Sequence, residues 1–233
     1  MASVSYQKRM SAIETYFDRT AVEAWARLTS DAPLGRIRET VRAGRHQMRE
    51  TLLDWLPQDL RGRCLLDAGC GTGALAVAAA RRGATVVAID LSATLIALAR
   101  ERAPQELGEG RVEFVCGDML DPALGRFDHV VGMDCLIHYP KHDIIESLAE
   151  LAGRANRSIL FTFAPRTPAL ALMHAVGRLF PRDDRAPAIL PVSTKVMRRA
   201  IISNPRLAAW RAIRSQRIAN GFYTSEALEL GRI

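Results

Sequence analysis

Asp67, Gly69, Gly71 and Gly73 stand at alternating positions directly after the apolar pair Leu65-Leu66, so one carboxylate and three glycines share a single short turn. Glycines adopt positive φ and let the backbone approach a ligand closely, and the free amides at the start of a following helix favour polar or anionic groups. Such a turn suits a nucleotide. Its spacing also satisfies Gly-x-Gly-x-x-Ala through Gly69, Gly71 and Ala74, which is a dinucleotide pattern. Asp67 opposes that choice, because a pyrophosphate would meet it as a like charge, whereas the cationic aminoacyl end of S-adenosylmethionine would meet it as an opposite one. The bland alternative is a glycine turn that only packs strand against helix.

Two further carboxylates follow in register. The β-branched run Thr85 to Asp90 reads as a second strand ending on an acid that can accept both ribose hydroxyls. Val112 to Cys116 reads as a third strand, followed by Gly117-Asp118-Met119, where Asp118 suits an adenine amino group and Met119 the face of its ring. Each acid alone would pass as a turn residue. Together with the glycine turn they outline one pocket. The pattern Asp-x-Gly-x-Gly-x-Gly resembles the first motif of class I methyltransferases. That resemblance implies S-adenosylmethionine as cofactor, with S-adenosylhomocysteine as product, surrounded by Asp67, Gly69, Cys70, Gly71, Thr72, Gly73, Asp90, Leu91, Asp118 and Met119.

These residues need a frame that brings strand ends together. Ala74 to Arg82 reads as a helix stopped by Gly83, Leu91 to Arg102 as a second helix, and His129 to Met133 as a fourth strand. Ile144, Ile145, Leu148, Leu151 and Ala152 form a helical stripe, and Ser158 to Ala164 a fifth strand. Strands separated by helices imply an α/β, doubly wound, mostly parallel sheet with ligands at the carboxyl ends of the strands. Seven strands are expected, as in Rossmann-like class I methyltransferases. Tyr6 to Phe17, Val22 to Leu28 and Ile37 to Leu56 permit N-terminal helices, and Ala169 to Phe180 and Ser193 to Ser203 a helical insert after the fifth strand. One domain results: an N-terminal helical cap over 1–57, a cofactor-binding core over 58–165, a substrate-covering insert over 166–206 and closing strands over 207–233.

At 233 residues, 48% hydrophobic and 24% charged, the chain can bury a full core without a second domain. Met1 to Met10 lacks the apolar stretch of a signal peptide, and no segment has the roughly 18 uninterrupted apolar residues of a membrane helix. A cytoplasmic protein, peripheral on a membrane at most, is expected. Cys64, Cys70, Cys116 and Cys135 show no Cys-x-x-Cys spacing, so no protein-bound metal is expected. The charge is uneven. Arg166 to Arg217 holds eleven Arg or Lys against two Asp, although the whole chain carries only +7. A local basic surface admits nucleic acid, an anionic membrane or an anionic substrate. Nucleic acid fits poorly, since Phe180 and Trp210 are the only aromatics in that stretch. A greasy helix beside basic residues instead suits a large flat substrate with carboxylates at its edge. Arg36, Arg38, Arg42, Arg45 and Arg49 form a second basic run, either a wall over the pocket or an ordinary solvated helix face.

Tyr16-Phe17-Asp18 with Trp25, the fourth-strand segment Met133-Asp134-Cys135-Leu136-Ile137-His138-Tyr139, the fifth-strand segment Phe161 to Thr167 and the late Gly221-Phe222-Tyr223 carry a more selective likeness. From about Tyr16 onward the chain resembles the magnesium protoporphyrin IX O-methyltransferase family. It departs at Thr29, where relatives carry a tyrosine four residues after the tryptophan. The resemblance implies methylation of one ring propionate of magnesium protoporphyrin IX, in chlorophyll and bacteriochlorophyll synthesis. A propionate titrates roughly like Glu, near pKa 4.3, so the nucleophile is already ionised at pH 7 and in-line placement can do most of the work.

On that likeness, Met133 and Asp134 join the cofactor site, Tyr16 lines the acceptor pocket, and His138 either bonds the propionate or lies over the macrocycle near magnesium. Arg166, just past a strand end, offers a planar fork for a carboxylate. The magnesium porphyrin is the expected partner, with magnesium chelatase upstream and the photosynthetic (inner) membrane as a peripheral contact. A quinone or other small-molecule methyltransferase, and a non-catalytic porphyrin carrier, share the same cofactor motifs.

Overall fold

The computed structural model describes residues 3–20, 22–30, 33–166 and 187–233. The apolar helix expected over Ala169 to Phe180 and most of the Arg/Asp loop after it lie outside the described residues. Three helices precede the sheet: α1 (Val4–Thr15), α2 (Val22–Leu28) and α3 (Arg36–Trp55), with a single π-helical turn, Tyr16–Thr20, after α1. The core then alternates: β1 (Cys64–Ala68), α4 (Ala74–Arg81), β2 (Thr85–Asp90), α5 (Ala93–Arg102), β3 (Arg111–Cys116), β4 (Phe127–Gly132), α6 (Lys141–Ala152) and β5 (Ala155–Phe163). After it come α7 (Thr194–Ser203) and a hairpin of β6 (Trp210–Asn220) and β7 (Tyr223–Arg232).

The sheet has seven strands in the order β3-β2-β1-β4-β5-β7-β6. β1 to β5 pair in parallel, and β7 runs antiparallel to both β5 and β6. This is the mostly parallel, doubly wound sheet expected. Its inner strands β1, β4 and β5 are largely buried and read as apolar runs, whereas the edge strand β3 is mostly exposed or half-buried. One face packs Met48, Leu52, Leu75, Ala79 and Ile96 from α3, α4 and α5. The other packs Tyr6, Ile144, Leu148, Met197 and Ile201 from α1, α6 and α7. The chain winds from β1 out to β3 and then returns to β4 beside β1, and that reversal opens a crevice at the strand ends.

Local chemistry sets the element ends that matter. Ser92 caps α5 by accepting the Leu95 N–H, and Ser193 caps α7 by accepting that of Val196. Gly83, at φ +93°, lies just beyond the end of α4, where a left-handed residue costs no Cβ clash. Gly44 lets α3 lie flat on the hairpin, since a Cβ there would sit 2.5 Å from the Tyr223 ring.

Candidate functional site

The carboxyl ends of β1, β2, β3 and β4 deliver Asp67, Asp90, Asp118 and Asp134 to one crevice. Asp67 is 1% exposed, and its Oδ2 has no hydrogen-bond partner among the described residues. Burial, with the Asp90 charge second, lifts its carboxyl from the ordinary 3.8 to about 7. Such a group favours a cation that can displace its proton. Asp90 accepts the Gly71 N–H at 2.8 Å and the Ser92 N–H at 3.0 Å, so it braces the glycine loop against the start of α5. Burial raises its pKa as well.

The loop glycines serve different ends. Gly69 has φ +74° and lies so close to Cys135 that a Cβ would collide with that side chain. Gly71 has φ +55° and leaves room for the Trp25 indole, whose Nε1 would lie 3.4 Å from a Cβ placed there. Gly73 has φ +77°, and a Cβ would meet the Phe114 ring at 2.6 Å, so this glycine lets α4 pack on β3. Asp67, Gly69, Cys70, Gly71 and Thr72 line one cavity of about 170 Å³, closed from above by Trp25, Arg42, Arg45, His46 and Arg49 of α2 and α3. Of the arginine run, Arg42, Arg45 and Arg49 face this cavity, whereas Arg36 is exposed and lines none of the three.

A smaller cavity of about 60 Å³ is lined by Asp90, Leu91, Asp118, Met119, Tyr6 and Tyr139. It collects the residues expected around ribose and adenine. Tyr6 is an addition from α1: its ring stacks on Tyr139 at 4.9 Å, and its hydroxyl donates to Asp118 at 2.7 Å. Nothing in the sequence near Tyr6 marks that role, because both partners are more than a hundred residues away.

The largest of these cavities, about 440 Å³, opens next to the first and is walled mainly by apolar and aromatic groups. That volume lies within the usual range of ligand clefts. Tyr16, Phe17, Trp25, Met133, Ile137, His138, Phe222 and Tyr223 are among its walls. Tyr16 and Phe17 are aimed inward by the π-helical turn, which is tied to α5 where Asp18 accepts the Ser92 hydroxyl at 2.5 Å. His138 ends a single 3₁₀ turn, Leu136–His138, after β4. It is 8% exposed, Phe17 meets its ring edge-on at 6.5 Å, and its Nδ1 has no partner among the described residues. Burial lowers its pKa, so the imidazole is neutral at pH 7.

Two expected residues take other positions. The Asp134 carboxylate, read as a cofactor ligand, is engaged by Arg45 at 2.6 Å and by the hydroxyls of Thr162, Tyr223 and Ser225 at 3.0 to 3.1 Å. It reaches the large cavity as the centre of a protein network. Arg166 is exposed, its backbone N–H donates to the Val192 carbonyl, and it lines none of these three cavities. The strand-end position that recommended it turns its side chain to solvent. A signal for the arginines that do face the site was present: Arg38, Arg42, Arg45 and Arg49 are spaced four, three and four apart, which puts them on one helical face.

The residues present fit an adenosylated sulfonium amino acid. An unpartnered buried carboxylate oxygen suits its ammonium, the glycine cradle suits its backbone contacts, and the acids after β2 and β3 suit ribose and adenine. Among the described residues no group of three His, Cys, Asp or Glu could hold a metal ion, and no helix is long and apolar enough to cross a membrane.

Comparison with known proteins points the same way. A family model described as the magnesium-protoporphyrin IX methyltransferase C-terminus matches residues 132–232, and a methyltransferase domain model matches 65–156. The magnesium-protoporphyrin O-methyltransferase of Rhodobacter capsulatus is 48% identical over 225 residues, 96% of this chain and 97% of that protein. Its namesake in Synechocystis is 29% identical over 94% of this chain and 95% of its own. The crystal structure of magnesium protoporphyrin IX methyltransferase (ChlM) from Synechocystis with bound S-adenosylhomocysteine superposes with a TM-score of 0.84 at 27% identity, covering 96% of this chain and 99% of that one.

Proposed function

The chain belongs to the magnesium-protoporphyrin O-methyltransferase family, and from that membership we propose that it moves the methyl of S-adenosylmethionine onto a propionate carboxylate of magnesium protoporphyrin IX. The observation that carries this reading is the continuity of two cavities. The acid-and-glycine cavity and the large aromatic cavity share Trp25, Leu28, Arg45, Gly69, Gly71 and Met133, so a donor and a flat apolar acceptor can meet across one wall.

S-adenosylmethionine supplies an activated sulfonium methyl. The protein's own contribution is placement and exclusion of water. Asp67 holds the donor's ammonium, Asp90 and Asp118 hold ribose and adenine, and Arg42 and Arg49 face the carboxylate end from α3. Tyr16, Phe17, Trp25 and Ile137 bury the tetrapyrrole face, and the neutral His138 lines the same cavity. No side chain has to remove a proton, because the propionate is ionised near pH 7. Arranging the two reactants in a dry site supplies most of the acceleration. The acceptor is the product of magnesium chelatase, and its apolar ring makes direct transfer from that enzyme, at the surface of the photosynthetic membrane, part of the same proposal.

Competition between acceptors tests it. Given labelled donor and equal amounts of magnesium protoporphyrin IX, metal-free protoporphyrin IX and a polyprenyl catechol, the protein should label the magnesium porphyrin at least about tenfold faster than either other compound, the size of one good polar contact. Preferential labelling of the catechol would move the chain to quinone chemistry. Tight porphyrin binding without label transfer would make it a carrier.

A further inference from the structure

Resting on that reading, we propose that Arg45 is the cation that receives the acceptor's carboxylate at the boundary between the two cavities. Of the four arginines on this face of α3, Arg42 and Arg49 line the donor cavity, Arg38 lines the acceptor cavity, and Arg45 lines both. A carboxylate that must come up to a methyl donor has to sit at such a junction.

The guanidinium is also already fixed in place. Its Nη1 donates to Asp134 Oδ2 at 2.6 Å, and its Cζ lies 4.6 Å from the centre of the Trp25 ring. Asp134 is its one hydrogen-bond partner among the described residues, so the rest of the planar fork stays available for a second carboxylate. The pair is lopsided. The Asp134 side chain is 4% exposed and the Arg45 side chain 21%. Three hydroxyls share the Asp134 charge with the guanidinium, and this leaves net positive character on the side open to the cavity.

Asp134 is held in an unusual backbone state as well. Its φ of +56° is the only positive value at a non-glycine position among the described residues, and its N–H donates to Thr162 Oγ1 at 2.7 Å. Non-glycine residues in the left-handed region are disfavoured and persist where surrounding contacts over-determine them. Here those contacts come from α3, β5 and β7, and their shared product is the position of Arg45. Asp134 is thus a positioning residue, and Arg45 takes the place that sequence position alone had suggested for Arg166.

The test compares acceptors that differ only in the carboxylate. Dissociation constants for magnesium protoporphyrin IX and for its dimethyl ester are measured by fluorescence quenching, with that for S-adenosylhomocysteine measured by calorimetry. Wild type should prefer the diacid. Arg45→Ala should lose about tenfold or more of that preference, as expected for removing one charge-assisted pair, with diester affinity changed less than about twofold and S-adenosylhomocysteine affinity lowered by less than the diacid's. Arg45→Gln keeps the stem over Trp25 and an amide for Asp134, so it should show the same loss even if the alanine variant folds poorly. Asp134→Asn should lower kcat more than it raises KM. An unchanged diacid preference in the glutamine variant would overturn the assignment, as would a loss that falls on S-adenosylhomocysteine instead. Wild-type methyl transfer is measured alongside: its absence sinks the function itself, whereas intact transfer with unchanged preference sinks this assignment alone.

Discussion

Replacing Asp67 by Asn is expected to weaken S-adenosylhomocysteine binding by about 10- to 100-fold at pH 8 while making the ligand-free protein more stable. Both effects come from one atom. Asp67 Oδ2 is buried without a partner, and folding lifts the carboxyl from 3.8 to about 7. Between those pH values the native protein keeps a proton that the unfolded chain has given up, so this group's contribution to stability falls as pH rises and is least favourable above about 7. Asparagine has the same shape and no charge to desolvate. The gain in melting temperature should therefore be seen at pH 8 and fade toward pH 4. Binding moves the opposite way, because a hydrogen bond to a charged partner contributes roughly 1.5–3 kcal/mol. Donor affinity in the wild type should also rise with pH through about 7, and in the variant it should be flat there. Calorimetric titration and thermal scans over pH 5 to 8 read both quantities. An Asn variant that binds like wild type at pH 8 would remove Asp67 from the donor site.

The second large effect is expected at His138. Replacing it by Ala should lower kcat with magnesium protoporphyrin IX by about 10- to 100-fold and leave S-adenosylhomocysteine affinity unchanged. The side chain lines the acceptor cavity, where its Nδ1 is unpartnered, and is absent from the two cavities assigned to the donor. Removing a buried polar contact to an ionised group or a metal-bearing ring costs about 1.5–3 kcal/mol, which is that range of rate. Since burial lowers its pKa, the imidazole works as a neutral group, and any loss of activity caused by its protonation should begin below its ordinary 6.5. Steady-state kinetics beside ligand titration separate the two sites. Equal losses in turnover and donor affinity would place His138 in the wrong one.

Much of this architecture is legible in the chain because a parallel sheet writes itself plainly. Asp67 lies in the last residues of the apolar strand β1, Asp90 ends β2 and Asp118 follows β3 by two residues, so all three acids can be placed at the crevice from spacing alone. The arginine face of α3 is legible as well, once the four-three-four spacing is read as a surface that needs a neighbour. Pairings between distant elements are not legible. Asp134 meets Arg45 and Tyr223, each 89 residues away, and nothing in the local sequence announces either contact. The exposure of Arg166 is not legible either, since a strand end fixes where the backbone stops and says little about where a long side chain points. Tyr6 escaped notice because a lone tyrosine in a polar helix shows nothing of the aromatic ring and carboxylate that it will meet.

Two joined cavities that bring a sulfonium methyl to a porphyrin carboxylate leave their mark in the mass of the product. Magnesium protoporphyrin IX incubated with the protein and S-adenosylmethionine should gain one methyl, as an ester that alkali removes, while the dimethyl ester of the same porphyrin gains none. A porphyrin of unchanged mass would contradict the account, as would a methyl that survives alkali.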